Sequence, residues 1–330
     1  MLNYFPKFFT SKAITLYFAA LLVVTVLYMS KAMSLIWWIF GAVEVVGFFY
    51  FSNQLTRGWA NYSEKKFSKK LFQTGLILRV VWVFFSYMFY LGMTGAPYEF
   101  WAADVYTYER LAGLVVANGW DGIQNLINSV GLSDSGYAAY LGTIYTIFGK
   151  GVIIPRLIKA LLGAFAAVLI YRVASRNFGE ETGRIAGIFY MLMPNLIYYT
   201  GSHLKETEMV FLVVAFIERA DYVIRNKNYN FINIASPVLL AGLLFMFRTV
   251  LGATALFAFM TTILLSGNKV LNMGKRMILA IWIGLAAVYL VGGKIATEIE
   301  QVWESRAENQ KTSMEWRAKR EGGNKFSTYA

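Results

Sequence analysis

Long apolar stretches recur along the whole chain and constrain its fold more than any other feature. Each is roughly 18 to 22 residues long, enough for a helix to cross a hydrocarbon core of about 30 Å. Lipid offers no partner to an unpaired backbone group, so the spans are expected to be helical. The sequence predicts an all-α, polytopic integral membrane helix bundle of about nine spans. They lie at about 13–30, 33–53, 72–93, 152–174, 184–201, 207–224, 231–247, 249–266 and 276–293.

The composition limits the classes of function. Of 330 residues 57% are hydrophobic and 15% charged, and the net charge is +12. The basic residues lie in short loops between the spans, which is typical of membrane proteins, so we expect no nucleic-acid partner. The chain has no cysteine and one histidine, which excludes a thiolate metal site and disfavours zinc.

The basic loops also predict an orientation. They follow the second, fourth, sixth and eighth spans, so all four lie on one side, which the positive-inside rule makes cytoplasmic. We therefore expect a multi-pass protein of the inner (plasma) membrane with a cytoplasmic N-terminus. The residues concerned are Arg57, Lys65, Lys66, Lys69, Lys70, Arg172, Arg176, Arg184, Arg219, Arg225, Lys227, Lys269, Lys275 and Arg276.

Two segments lie outside this regular pattern. The acidic segment 94–151 is too long for a simple connection, and we expect it to form short interfacial helices on the outer surface. The charged tail 294–330 is also predicted to lie outside, and it has the pattern of a truncated chain that stops before its next element. The predicted units are thus a transmembrane module at 1–293 and the tail.

Asp104 is the strongest candidate for chemistry among the acids of the outer segment. It lies among aromatic residues and shares a helical face with Tyr108, whereas Glu109 is turned away. Such a carboxylate could accept a proton from a sugar hydroxyl or hold a divalent cation against a phosphate. The alternative is that Asp104 only stabilises the start of a helix through the helix dipole.

The connection before the sixth span is a second candidate. A helix that begins there with Lys205 in its first turn would suit a phosphate, and His203 and Glu206 would share one of its faces. The alternative is that Ser202 caps the helix and the acids only favour its dipole. His203 would then be an ordinary side chain at the interface.

Several cations lie at the outer ends of spans, against the general trend. Arg156 and Lys159 open the fourth span, and Arg248 separates the seventh from the eighth. An anionic, lipid-linked substrate would explain them, and so would snorkelling to headgroups. Arg79 lies deeper in the third span, and a structural ion pair with Glu44 is expected.

The order of these elements resembles that of a known superfamily. The acidic loop is followed by Pro155-Arg156-Leu157, Met193-Pro194 and Leu204-Lys205-Glu206, as in the membrane core of the GT-C glycosyltransferases. The likeness is to the bacterial branch related to protein mannosyltransferases and lipid A aminoarabinose transferases. Its motif Asp-Glu-Ala-x-Tyr-x-x-x-Ala resembles the segment 104–112, but Val105 replaces Glu and Tyr106 replaces Ala. A second departure is that two extra spans precede the acidic loop, which in these enzymes usually follows the first helix.

The resemblance implies transfer of a sugar from a polyprenyl-phosphate carrier to a glycan, lipid or protein acceptor on the outer face. Asp104 would be the catalytic base or a metal-associated acid. Because Val105 stands where the motif has Glu, the resemblance implies a divalent cation less directly than in enzymes with both acids. Arg156, Lys205 and Arg248 would hold the carrier phosphate, and Tyr106 and Tyr108 would flank the sugar. His203 and Glu206 would also contact the substrate.

Two other functions fit part of the pattern. A flippase or transporter of lipid-linked saccharide would also use outer cations and a lateral groove, but transporters place polar residues near the bilayer midplane. An O-antigen-type polymerase or ligase would act on a similar substrate with outer-loop arginines, without an acid after an early span.

Overall fold

The computed structural model describes residues 7–27, 35–100, 103–226 and 230–265, together with residues 277 and 281. In these ranges the chain forms eleven α-helices, one short 3-10 helix at Arg57–Asn61 and no strand, which confirms the prediction of an all-α fold. The helices are α1 (Lys7–Leu27), α2 (Leu35–Thr56), α3 (Glu64–Thr94), α4 (Ala103–Val130), α5 (Leu132–Phe148), α6 (Ile153–Phe178), α7 (Glu180–Leu192), α8 (Pro194–Gly201), α9 (Glu206–Asn226), α10 (Phe231–Phe247) and α11 (Thr249–Leu265).

Two of the described helices, α3 and α6, are long and apolar enough to cross a membrane. Shorter apolar helices cover Lys12–Leu27, Phe231–Phe247 and Thr249–Ile263. The nine-span bundle and the division at residue 293 stay predictions. The tail 294–330 and nearly all of the ninth predicted span lie outside the described residues.

The predicted fifth span is divided in the structure. It was drawn as one helix over 184–201, but α7 ends at Leu192 and α8 begins at Pro194. Proline has no N–H to donate and disfavours a helical conformation in the residue before it, and Met193 accordingly has φ −57° and ψ 115°. The proline thus begins a new helix at its first position, where the missing N–H costs nothing.

Helix α6 lies at the centre of one half of the molecule, packed against α3, α7, α8 and α9. In the other half α5 packs on α4 and α10, and α10 packs on α9 and α11. Apolar side chains fill both halves, and Phe211 of α9 contacts the cores of both. Helix α9 therefore joins the two halves, and the turn before it lies close to each.

Arg79 is buried in α3, but the prediction that it forms an ion pair with Glu44 is wrong. Its Nη1 donates to the backbone carbonyl oxygens of Gly75 and Met191, each at 3.2 Å, and Glu44 is exposed on α2. The guanidinium lies beside Gly163 of α6, where a Cβ atom would be 2.6 Å from its Nε. The missing side chain at this glycine lets the arginine reach backbone carbonyls instead of a carboxylate.

The segment 94–151 forms longer helices than the short interfacial ones that the sequence predicts. Helix α4 has 28 residues and bends at Gly119, whose φ of 57° favours glycine, and α5 has 17 residues. An apolar stripe of α4 faces inward, since Val105, Ala112 and Val115 are buried. This stripe packs against α5, because α4 and α5 form an antiparallel pair.

Three of the four basic loops meet at one end of the bundle. Arg184 of α7 donates to the carbonyl oxygens of Trp59, Ala60 and Tyr62, at 3.2, 3.1 and 2.6 Å. Arg176 at the end of α6 lies 2.5 Å from Glu218 and 3.3 Å from Asp221 in α9. These loops are thus near one another, as the sequence predicts; Lys269, Lys275 and Arg276 lie outside the described residues.

The contact of α5 with α10 gives a test of the packing. A Cβ atom at Gly136 would lie 2.3 Å from the carbonyl oxygen of Met246, whereas one at Gly242 would meet nothing within 4 Å. We expect Gly136→Ala to destabilise the purified protein by about 1–3 kcal/mol, as overpacking does. Gly242→Ala is the matched control and should be neutral or stabilising. Thermal unfolding in detergent measures both, and equal melting temperatures would contradict this packing.

Candidate active site

A cavity of about 460 Å³ lies where α4 begins, α9 begins and α10 meets α11. Five of the eight residues selected from the sequence line it, and we name it the Asp104 cavity. Its lining consists of Asp104, Thr107, Tyr108, Leu111, Val130, Leu204, Lys205, Glu206 and Arg248. Residues more than 140 positions apart in the chain therefore meet in one space.

Helix α4 supplies the acid and an aromatic ring to this cavity. Asp104 is in its first turn and exposed, and Tyr108 follows one turn later on the same face. The Tyr108 ring packs edge-on against Tyr137 at 4.9 Å between centroids. The Lys205 ammonium lies 5.7 Å from the Tyr108 ring centroid, within the range of a cation–π contact. The ring thus lies between the helix with the acid and the turn with the lysine.

The two cations come from breaks between helices. Lys205 immediately precedes α9, and its carbonyl accepts the Met209 N–H at 3.1 Å. Arg248 is exposed and adopts an extended conformation, with φ −162° and ψ 107°, that separates α10 from α11. Its side chain therefore lies at the rim of the cavity. With the start of α9 nearby, these two cations can bind an anion in the same cavity as the Asp104 carboxylate.

The sequence-based model of the turn before α9 is wrong in one respect. His203 and Glu206 were expected on one face of a helix, but residues 202–205 form a non-helical turn and α9 starts at Glu206. His203 points into the protein and is fully buried, while Glu206 lines the Asp104 cavity. One carboxylate oxygen of Glu206 is buried and has no hydrogen-bond partner in the described structure.

Tyr106, Arg156 and His203 do not line this cavity. The Tyr106 side chain is 59% exposed and packs against Tyr98, with ring centroids 5.4 Å apart. Arg156 is fully buried, donating to the Pro97 carbonyl at 2.6 Å and lying 3.6 Å from the Glu99 carboxylate. Arg156 therefore has a buried carboxylate as its partner.

Two buried side chains hold the turn that carries Lys205. The Glu99 carboxylate accepts the backbone N–H of His203, at 2.9 and 3.1 Å to its two oxygens. Lys159 donates to the carbonyl oxygens of Ser202, at 3.1 Å, and Leu204, and it lies 3.7 Å from Glu208. Backbone groups of the turn are thus bound to charged groups on both sides, which fixes its shape.

The His203 ring belongs to a second set of buried polar groups. Its Nε2 lies 2.9 Å from the Oε1 of Glu109, and the Tyr145 hydroxyl donates to the same oxygen. Burial would raise the pKa of Glu109, but the hydrogen bonds from His203 and Tyr145 outweigh burial and lower it. Burial lowers the pKa of His203 to about 4, so the ring is neutral at pH 7. Burial, with the Glu109 hydrogen bond, raises the pKa of Tyr145, which stays a donor.

Sequence reasoning missed much of this buried network. Lys159 was selected only as a cation at the start of a span, no role was predicted for Glu99 or Glu208, and Glu109 was set aside because it faces away from Asp104. The signal that could have found them is the number of opposite charges at the ends of apolar spans, since a buried charge requires a partner. Among the described residues, no three His, Asp or Glu side chains are close enough to hold a metal ion.

Comparison with known proteins gives the class of the chain as membrane glycosyltransferases of the GT-C fold class. Residues 119–297 match the model of the Alg9-like mannosyltransferase family, more than half of the 330 residues, and the chain belongs to that family. The matched segment includes Arg156, His203, Lys205, Glu206 and Arg248 but begins after Asp104. No curated protein and no solved structure matches the chain significantly. The likeness to GT-C enzymes is thus confirmed, and the bacterial branch stays a prediction.

The buried histidine predicts a pH dependence of stability. The pKa values of His203 and Glu109 are both lowered in the folded protein, so their contribution is present near pH 7 and lost as the pH falls. For His203 the loss extends from its ordinary pKa of about 6.5 down to about 4 and amounts to about 3 kcal/mol at most. We expect the melting temperature of the wild type to fall over this range.

The control is His203→Gln, which removes the chain's only histidine. Its melting temperature should depend less steeply on pH between 6.5 and 4.5 than that of the wild type. Parallel curves for the two proteins would show that His203 is not buried in a neutral state.

Proposed function

We propose that this protein transfers a sugar from a polyprenyl-phosphate-linked donor to an acceptor hydroxyl on the outer face of the inner (plasma) membrane. The observation that carries the proposal is the Asp104 cavity, where the Asp104 carboxylate and two cations from distant segments line the same space. The family adds mannose as the first sugar to test, since its description names mannosyl transfer.

The chemistry assigns a different task to each charge. The acceptor oxygen attacks the anomeric carbon, its proton passes to the Asp104 carboxylate, and the bond from that carbon to the carrier phosphate breaks. Lys205 and Arg248 neutralise the negative charge that develops on the departing phosphate. Tyr108 provides an aromatic surface beside the sugar, whereas Tyr106 lies outside the cavity and has no part in the proposed reaction. Glu206 accepts a hydrogen bond from a substrate hydroxyl.

Arg156 and His203 have an indirect role in this proposal. Both side chains are fully buried, and His203 is part of the turn at 202–205, so in this proposal they hold the turn in place and do not contact the substrate. Arg156 fixes the Glu99 carboxylate that binds the His203 N–H, and the His203 ring is fixed by Glu109. The result is a defined position for Lys205.

The membrane arrangement is part of the same proposal. The basic ends of α6, α7 and α9 lie with the residues 57–62 at one end of the bundle, which we assign to the cytoplasm. The outer segment with α4 and α5 is then extracytoplasmic, and the N-terminus is cytoplasmic. Nine spans, the sequence-based number, agree with this orientation.

The variant Asp104→Asn tests whether Asp104 is the catalytic base. The amide cannot take up the proton, so the turnover number should fall by about 10²- to 10⁴-fold. Transfer is measured with purified protein and mannosyl-phosphoryl-polyprenol as donor, at equal protein levels. Asp121→Asn is the matched control, because Asp121 is an exposed acid of the same helix that does not line the cavity. Full activity of the Asp104 variant would remove it from the mechanism.

Lys205→Met and Arg248→Met test the phosphate site. Loss of a charge-assisted contact costs about 1.5–3 kcal/mol, so we expect the efficiency with which the donor is used to fall by roughly 10- to 150-fold in each variant. Arg110→Met, which removes an exposed arginine of α4 outside the cavity lining, should behave as the wild type. Saccharide movement across vesicles without any transfer would instead favour a flippase or transporter.

A further inference from the structure

A second cavity, of about 440 Å³, lies on the other side of α4 and has no part in the proposed reaction. The end of α3, the turn after it, α4 and the connection from α5 to α6 enclose it. We name it the Glu109 cavity. Its lining consists of Tyr87, Pro97, Tyr98, Glu109, Phe148, Gly149, Lys150, Gly151, Val152, Ile153 and Ile154.

Glu109 brings a buried carboxylate oxygen to this space. Its Oε1 is occupied by the Tyr145 hydroxyl and the His203 ring, whereas its Oε2 is buried and accepts no hydrogen bond from the described groups. The Glu109 side chain is only 9% exposed. A buried anionic oxygen with unused acceptor capacity is costly unless a donor binds to it. The lining therefore suits a ligand that brings a hydroxyl or N–H group.

Lys150 and two tyrosines complete the set of binding groups. The Lys150 ammonium lies 3.7 Å from Glu109 Oε2, and its side chain is 72% exposed at the mouth of the cavity. Tyr87 and Tyr98 are half-buried and present aromatic rings. A carboxylate and an ammonium that bind hydroxyls, beside rings that cover apolar C–H faces, are the combination that a sugar requires.

The position of Glu109 excludes a direct part in the reaction at Asp104. The two acids are five residues apart on α4, which separates them by about 7.5 Å along the axis and by about 140° around it. They line different cavities. One reacting hydroxyl cannot contact both, so a sugar unit beside Glu109 belongs to a part of the substrate that does not react.

We propose that the Glu109 cavity is a saccharide-binding site, which holds a non-reacting sugar unit of the acceptor glycan. The assignment to the acceptor rests on the proposed function, whereas binding of saccharide there does not. Such a unit binds away from the reacting centre, and its binding energy positions the acceptor hydroxyl near Asp104. The enzyme would then select acceptors by a sugar that it does not modify.

Glu109→Gln is the test variant. Its amide oxygen can still accept from Tyr145 and His203, while its NH₂ group replaces the acceptor that faces the cavity. The measurement is binding of α-mannotriose, and of the corresponding gluco, galacto and N-acetylglucosamine trisaccharides, to wild type in lipid nanodiscs by titration calorimetry. We expect Glu109→Gln to weaken binding at least tenfold and Lys150→Met to weaken it severalfold. Arg110→Met, which removes an exposed cation of α4 outside both cavity linings, is the matched control and should stay within twofold of wild type.

Three results would overturn the proposal: no binding of any trisaccharide to wild type, unchanged binding to Glu109→Gln, or an equal loss in Arg110→Met. Asp104→Asn separates this inference from the proposed function, since it should lose transfer and keep trisaccharide binding. If wild type binds trisaccharide through Glu109 but transfers no sugar, the proposed transfer reaction is wrong and the saccharide-binding site is supported. If transfer depends on Asp104 but binding does not depend on Glu109, the second site is wrong.

Discussion

The candidate active site depends on how the turn at 202–205 is bound to buried charges. Glu99 accepts the His203 N–H from one side, and Lys159 donates to two carbonyl oxygens of the turn from the other. An ionised group in an interior of low dielectric requires a partner, and each of these groups uses the turn's backbone as one. The two charges therefore restrict the turn to one conformation, and α9 starts from it.

This turn also connects the two cavities. Lys205 at its end lines the Asp104 cavity, and His203 two residues earlier binds Glu109 at the edge of the other. The rings of Tyr98 and Tyr137 lie against the His203 ring, with centroids 5.9 and 6.3 Å apart, and fill the space between. A change in one cavity that moves the turn would therefore be transmitted to the other through packed side chains.

Much of the fold could be predicted, because long apolar stretches have few stable forms in lipid. The helical nature of the chain and the meeting of three basic loops followed from local pattern. Asp104, Lys205 and Arg248 were selected as charges outside the spans, and the structure brings them into one cavity. Their convergence could not be derived, since it depends on how α4, α9 and α10 pack.

The buried polar network could not be predicted from the sequence, and the reason is physical. Glu99 binds a backbone group 104 residues away, and Lys159 binds carbonyls 43 and 45 residues away. Contacts of such separation leave no periodic pattern. Glu109 was judged only by its angle to Asp104 on one helix, which gives no information about the neighbours on its other side. Arg79 was assigned a carboxylate because backbone carbonyls, which every residue has, cannot be singled out in a sequence.

The length of α10 has a consequence for how a lipid-linked donor would meet Arg248. Its 17 residues rise roughly 25 Å, about 5 Å less than the thickness of a typical hydrocarbon core. In the proposed orientation this hydrophobic mismatch places Arg248 below the level of the outer headgroups, or thins the bilayer around it. A carrier phosphate then reaches the arginine while its polyprenyl chain stays in the leaflet, so the donor does not have to be drawn out of the membrane for transfer.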